Sequence, residues 1–519
     1  MYPTISDPLL HHLLPGNDFS LPHLLLLLSG ILAICCWAWL LLAQKKTSPS
    51  LPPGPAGLPL VGNLPFLDPE LHTYFAALAR TYGPVLKLQL GKKLGVIVTS
   101  PATAREVLKD NDVIFANRDV PIAGRAASYG GSDIVWTPYG PEWRMLRKVC
   151  VLKMLSNHTL DSVYDLRRRE VRKTVGYFRV RAGSPVNVGE QMFLTVLNVI
   201  TSMLWGGTVQ GEERESLGAD FRQVVSDMTE LLGKPNVSDF YPGLARFDFQ
   251  GIEKRMKGLG KRFDGIFEKM IAQRLRMERD GQSECKDFLQ FLLELKDEED
   301  TPLTMTGLKA LLMDMVVGGT DTSSNTVEFA MAEILNKPSV LSKIQNELET
   351  VVGKDNIAEE SHIPKLSYLH AVMKESLRLH PALPLLVPYC PSATCTVGGY
   401  TVPKGSRVFI NVWAIHRDPS IWSDPLEFNP ERFLHDKGDY SGNDFNYFPF
   451  GSGRRICVGI AMAERMVLYS LATLLHSFDW KLPEGEKMDL REQFGIVLKK
   501  KMPLVAIPSP RFSDPRLYE

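Results

Sequence analysis

Near the C-terminal end one cysteine lies among glycines, in Pro449-Phe-Gly-Ser-Gly-Arg-Arg-Ile-Cys-Val-Gly459, directly ahead of the apolar stretch Ile460 to Leu475. Glycines let a backbone approach a flat partner and adopt conformations closed to other residues. A thiolate near a helix N-terminus gains from unsatisfied N–H groups and the helix dipole. The loop is therefore a candidate for a metal-bound thiolate stabilised by backbone donors. On residue types alone, a glycine loop beside an inert buried cysteine fits as well.

Three further segments carry chemistry-bearing residues. Lys374-Glu-Ser-Leu-Arg378 places Glu375 and Arg378 three residues apart, on one face of a helix that ends at His380-Pro381. Val317-Gly-Gly-Thr-Asp-Thr-Ser323 puts two glycines inside a helical, apolar stretch from Thr306 to Leu335. Each glycine costs such a helix about 1 kcal/mol against alanine, so close helix packing or open space beside it is called for. Trp143-Arg-Met-Leu-Arg-Lys148 reads as a basic amphipathic helix.

The spacing of Phe450, Gly453, Arg455, Cys457 and Gly459 resembles F-x-x-G-x-R-x-C-x-G, the haem-binding signature of the cytochrome P-450 superfamily. The other segments resemble that superfamily's remaining motifs. The resemblance implies haem b as cofactor, with Cys457 as axial ligand to its iron. Glu375, Arg378 and, from Pro430-Glu-Arg-Phe433, Arg432 would form a buried charge network that fixes the cysteine loop. Gly318 and Gly319 would lie over the haem face, where bulk would block dioxygen. Asp321 and Thr322 become an acid–alcohol pair: Asp321 relays protons from solvent and Thr322 hydrogen-bonds in the oxygen-binding cavity. Trp143, Arg147 and Arg455 would contact haem propionates. Arg144, Lys148 and Lys153 are candidates for the surface that receives an acidic electron donor.

One position departs from the family pattern. In Leu386-Val-Pro-Tyr-Cys390, Tyr389 stands where relatives often carry an Arg or His that meets a propionate. A phenol brings a hydrogen bond but no permanent charge. The resemblance otherwise runs the length of the chain and is nearest to microsomal plant enzymes, a group containing sesquiterpene and flavonoid hydroxylases. These draw electrons from an NADPH-dependent flavoprotein, NADPH–cytochrome P-450 reductase. The implied activity is hydroxylation of a lipophilic plant metabolite. Segments 120–132, 382–387 and 494–497, with the helix around Met315, would line its pocket. Two other functions compete: a haem-thiolate isomerase or dehydratase acting on a peroxide, and a non-catalytic, membrane-tethered haem or ligand carrier.

The elements that must position these residues are also legible. The chain has 519 residues, 44% hydrophobic and 23% charged, enough to enclose a large cofactor. Lys+Arg and Asp+Glu are both 59, so charge gives no case for a nucleic-acid partner. Seven cysteines at irregular spacing suit neither a disulfide framework nor a structural zinc site. Residues 24–43 are uncharged and apolar, long enough as a helix to span about 30 Å of hydrocarbon. Lys45 and Lys46 follow that run while Asp7 and Asp18 precede it. This asymmetry predicts a single-pass anchor in the endoplasmic reticulum membrane, residues 1–23 lumenal and the catalytic domain cytosolic. On that topology the sequons at Asn157 and Asn236 never meet the glycosylation machinery. A basic, Pro/Gly-rich hinge over 44–62 leads into one domain over 63–519, mainly α with a small β region. Strands are expected at Val85–Leu90 and Gly95–Ser100, and a late hairpin around Gly398-Gly399.

Overall fold

The computed structural model describes residues 28–33, 35–36, 50–206, 212–281, 287–296, 303–435 and 438–519. Most of the expected anchor over 24–43 therefore lies outside the described residues. Among those described, no helix is long and apolar enough to cross a membrane.

Five helices and six strands set up the site. The helices are α1 (Pro141–Val149), α2 (Val188–Trp205), α3 (Met305–Asn336), α4 (Ser367–Leu379) and α5 (Ile460–Ser477). The strands are β1 (Val85–Leu90), β2 (Lys93–Val98), β3 (Asn117–Arg118), β4 (Tyr389–Cys390), β5 (Arg407–Ile410) and β6 (Lys499–Lys500). Other helices, notably Ile252–Arg279, complete a mainly α domain.

The first five strands form one sheet in the order β1-β2-β5-β4-β3. Its pairs are antiparallel except β2 with β5, where Gly95 to Val98 run parallel to Arg407 to Ile410. The late hairpin pairs Cys395–Val397 with Tyr400–Val402, and positive φ at Gly398 and Gly399 turns it.

α3 runs through the core and is buried on nearly all sides. It starts where the Thr304 hydroxyl accepts the Gly307 N–H at 3.1 Å, and it stops ahead of Pro338. α2 and α5 pack along it. α4 ends at His380, before Pro381, as its sequence predicts. At His380 the helical core meets the short sheet that Glu492–Gln493 forms with β6: its ring stacks on Phe329 at 4.2 Å, with Nε2 2.9 Å from Glu333 and Nδ1 2.6 Å from Glu492.

Candidate active site

The cysteine loop holds its shape through its own backbone. The Cys457 N–H donates to the Phe450 carbonyl at 3.0 Å, and the Gly459 N–H donates to Cys457 Sγ at 3.3 Å. Gly453 has φ +65, and a Cβ there would collide with the Leu108 carbonyl oxygen, so only glycine fits. Gly459 has ordinary backbone geometry, and its contribution is the N–H aimed at sulfur. Phe450 stands edge-on to Tyr440, ring centres 5.0 Å apart. Cys457 is accessible although protein surrounds it closely. Burial pushes the thiol up, while the Gly459 N–H and Arg147 pull it back.

On α3, Val317, Gly318, Gly319, Thr322 and Asn325 interrupt an otherwise buried run, and Gly318 is the exposed one. The two glycines part company here. A Cβ on Gly318 would meet nothing within 4 Å, so that face is open. A Cβ on Gly319 would stand 2.7 Å from Ile200 Cδ1 on α2. Gly318 thus presents the open face expected of the pair, whereas the small size of Gly319 lets α2 approach. Gly319→Leu is expected to cost about 1–3 kcal/mol by overpacking, and Ile200→Ala should restore most of it. Thermal unfolding of the single and double variants checks this.

Thr322 donates its hydroxyl to the Gly318 carbonyl at 2.9 Å, which leaves its oxygen free to accept. Asp321, its neighbour, turns away from Thr322 into the protein and is 2% exposed. There its Oδ2 lies 3.2 Å from Nζ of Lys499 on β6, whose side chain is 39% exposed. Lys499 links the buried carboxylate to solvent, a contact that the sequence motif does not announce.

Trp143, Arg147 and Arg455 converge. The Trp143 ring lies 4.5 Å from the Arg455 guanidinium and 5.4 Å from that of Arg147. Arg455 donates to the carbonyls of Ala116 (2.6 Å), Ile134 (3.1 Å) and Thr137 (2.6 Å). Arg147 donates to the Ile456 carbonyl at 2.8 Å, and Trp143 Nε1 to that of Ile134 at 3.0 Å. A fourth member, Arg118 on β3, was not foreseen. It lies over the Tyr389 ring at 4.2 Å and donates to the Val387 carbonyl at 2.5 Å, while its buried Nε has no partner. Arg118 brings to Tyr389 the charge that the phenol lacks.

None of Arg118, Arg147 and Arg455 has a carboxylate at ion-pair distance among the described residues. Burial, then repulsion from Arg118, lowers Arg455 to about 9. Buried cations that repel one another call for an anion. The propionates of haem would supply two, the open face at Gly318 suits a flat macrocycle, and Cys457 offers a soft ligand for its iron. The residues present fit the group.

Glu375, Arg378 and Arg432 form one hydrogen-bonded cluster. Arg378 Nε and Nη2 donate to both Glu375 oxygens, at 2.7 and 2.8 Å, and Arg432 Nε donates to Glu375 Oε1 at 3.1 Å. Glu375 and Arg378 are fully buried. Arg378 Nη1 also donates to the His416 carbonyl at 2.7 Å. Burial and the nearby Arg378 and Arg417 lower His416 to about 3, so its ring is neutral and its Nε2 accepts the Phe448 N–H at 3.1 Å. That bond ties the network to the segment leading into the cysteine loop.

A cavity of about 140 Å³ is lined by Leu385, Leu386, Phe494 and Ile496, from two of the segments expected to face substrate. Pro121 represents the 120–132 segment, Met315 is absent from the lining, and Leu232 and Phe240 join it. A larger hollow of about 600 Å³, at His370, Lys374, Tyr440 and Glu464, contains none of those segments.

The cytochrome P-450 family profile matches residues 52–507. The chain belongs to the cytochrome P-450 family. It is 40% identical over 489 residues to a flavonoid 3'-monooxygenase of Crocosmia x crocosmiiflora, covering 91% of this chain and 95% of that relative. It is also 40% identical to the flavonoid 3'-monooxygenase of Arabidopsis thaliana (90% and 93% covered) and to the geraniol 8-hydroxylase of Swertia mussotii (90% and 95%). A solved zebra fish cytochrome P-450 bound to abiraterone superposes with TM-score 0.72 at 25% identity, covering 86% of this chain and 99% of that one. The protein is an oxygen-dependent monooxygenase of plant specialised metabolism with haem b as cofactor. Cytochrome P-450 monooxygenases of this kind use a redox partner, with electrons from NADPH, and a lipophilic substrate.

Proposed function

We propose that the chain hydroxylates a flavonoid, with Cys457 as the iron ligand. The observation that carries the site assignment is Cys457, with a backbone N–H aimed at its sulfur and, nearby, three arginines that have no carboxylate at ion-pair distance among the described residues. The substrate class rests on the similar flavonoid 3'-monooxygenases; the geraniol 8-hydroxylase supports a terpenol as the second reading. Bound haem would supply dioxygen reduction, one oxygen atom entering a C–H bond and the other leaving as water.

The chain's residues do the rest. Arg118, Arg147, Arg455 and Trp143 would hold the haem carboxylates, and Gly318 leaves its face of α3 open. Thr322 hydrogen-bonds in that space, and Asp321 takes protons from the Lys499 side and delivers them inward. The apolar walls at Leu385, Leu386, Phe494 and Ile496 receive the substrate. Electrons come from NADPH–cytochrome P-450 reductase, which docks at the exposed Arg144, Lys148 and Lys153. Residues 24–43 anchor the domain in the endoplasmic reticulum membrane, and the 44–62 hinge sets it on the cytosolic face.

Asp321→Asn keeps the side chain's shape but removes the carboxylate that faces Lys499. Product formation should fall about 10²-fold, with haem still bound and NADPH oxidation less affected. Product formed per NADPH, measured with reconstituted reductase, checks this; unchanged coupling would remove Asp321 from the proton path. The substrate class is tested by assaying flavonoids lacking a 3'-hydroxyl against geraniol. Turnover of neither would reject both substrate readings.

A further inference from the structure

Glu492, on the short strand that pairs with β6, is a carboxylate that gathers donors from three separate segments. Its Oε1 lies 2.6 Å from His380 Nδ1 and 3.2 Å from Arg417 Nη2. Its Oε2 lies 2.9 Å from Trp413 Nε1 and 3.2 Å from His72 Nε2, the latter on the helix Leu71–Tyr82. His380 Nε2 in turn meets Glu333 on α3 at 2.9 Å. Burial would lower His380, but its bonds to Glu333 and Glu492 raise it, so the ring bridges two carboxylates as a cation. Burial also opposes a charge on Glu492, yet His380, His72 and Arg417 hold its carboxyl well below the ordinary range.

The strand itself is slight. Its ladder is made of Glu492 with Lys500 and Gln493 with Lys499. A hairpin so small is marginal by itself, so its position depends on anchors outside it. What it carries matters at both ends. Past Gln493 the turn presents Phe494 and Ile496 to the cavity. The Phe494 ring stacks on His72, centres 5.5 Å apart and 20° from parallel, and its N–H donates to Glu70 at 2.8 Å. The chain returns through Leu498, whose N–H donates to the Ala382 carbonyl at 2.8 Å. Lys499 follows, with Nζ 3.2 Å from Asp321 Oδ2. One hairpin thus holds part of the cavity wall and the contact to the buried aspartate.

We propose that Glu492 is a positioning residue that fixes hairpin 492–500, so that Phe494 walls the cavity while Lys499 reaches Asp321. The inference rests on the cavity and proton-path readings given above. Glu492 acts through those two side chains, and its bonds tie them to the helix Leu71–Tyr82, to the end of α4 and to the segment after β5. Without its charge, His380 and Arg417 would be cations facing the hairpin with no anion between them, and the strand would move away. Wall and lysine then shift together, so substrate affinity and proton delivery fall together. A role in folding alone would lower the amount of folded protein without linking the two.

The test uses the full-length, haem-loaded protein with reconstituted reductase, every value taken per thiolate-ligated haem. The substrate is apigenin, a flavone without a 3'-hydroxyl, or geraniol where that is the compound turned over. Glu492→Gln should raise KM about fivefold and lower product formed per NADPH about fivefold. On a Phe494→Ala background the first effect, and on a Lys499→Met background the second, should shrink below about twofold. Amide hydrogen exchange over 492–500, followed by mass spectrometry without substrate, should speed up roughly tenfold in Glu492→Gln. Where Glu492→Gln folds poorly, Trp413→Phe removes a single bond to the carboxylate and should move all three readings the same way by less. Unaltered exchange, or equal losses on every background, would overturn the positioning role. Phe494→Ala with an unchanged KM would reject the cavity reading instead, and Lys499→Met with unchanged coupling the proton path.

Discussion

Cys457→Ala protein, expressed in membranes and reduced under carbon monoxide, is expected to lose the red-shifted Soret band and all monooxygenase activity. The backbone should tolerate the change. The hydrogen bond from residue 457 to the Phe450 carbonyl is made by main chain, and the close approach of Leu108 to Gly453 does not involve the Cys457 side chain. What disappears is the sulfur that receives the Gly459 N–H and feels the Arg147 charge. Thiolate ligation is what pushes electron density toward O–O cleavage, so its loss removes the chemical step and not merely part of its rate. Difference spectra and product analysis on matched amounts of folded protein check the result. A thiolate-type band or turnover in Cys457→Ala would reject the ligand assignment, and a carrier function would predict no turnover in the parent chain either.

The parts of the site that the sequence exposed were those built from local patterns. The cysteine loop, the Glu375–Arg378 pair and the Gly318 helix are each continuous segments whose spacing encodes their geometry. The ends of α3 and α4 also follow from local chemistry, at Thr304, Pro338 and Pro381. Contacts between distant segments were not legible. Arg118 looks like any loop arginine until β3 pairs with β4 and lays it over Tyr389. Gly318 and Gly319 are equivalent as letters, and only the approach of Ile200 distinguishes them. Lys499 sits in a run of lysines, and the one that reaches Asp321 is selected by the pairing of β6 with Glu492-Gln493. Asp314 lies in no motif, and it receives the Ile134 N–H only because α3 passes the segment ahead of α1.

Glu375→Gln is expected to do nearly as much damage as loss of the cysteine, by a different route. The carboxylate serves Arg378 through both oxygens and Arg432 through one, and it also accepts the Asn429 N–H at 2.8 Å. An amide has one acceptor oxygen and no charge, so two guanidinium groups would remain near each other in the core without their anion. Breaking one partner of a buried ion pair costs about 3–5 kcal/mol, a large share of what holds a domain folded. The damage should also reach the cysteine. Arg378 would no longer be held against the His416 carbonyl, and His416 Nε2 is the acceptor for the Phe448 N–H just before the loop. Residual folded Glu375→Gln should therefore bind haem poorly and lack the thiolate band. His416→Leu isolates the second link: it leaves the ion pairs intact but orphans the Phe448 N–H, a penalty of about 1–3 kcal/mol. It should lower haem occupancy while the domain stays folded. Haem content per polypeptide and urea unfolding separate the two effects. If Glu375→Gln kept wild-type stability and full thiolate-ligated haem, the network would not be what fixes the loop.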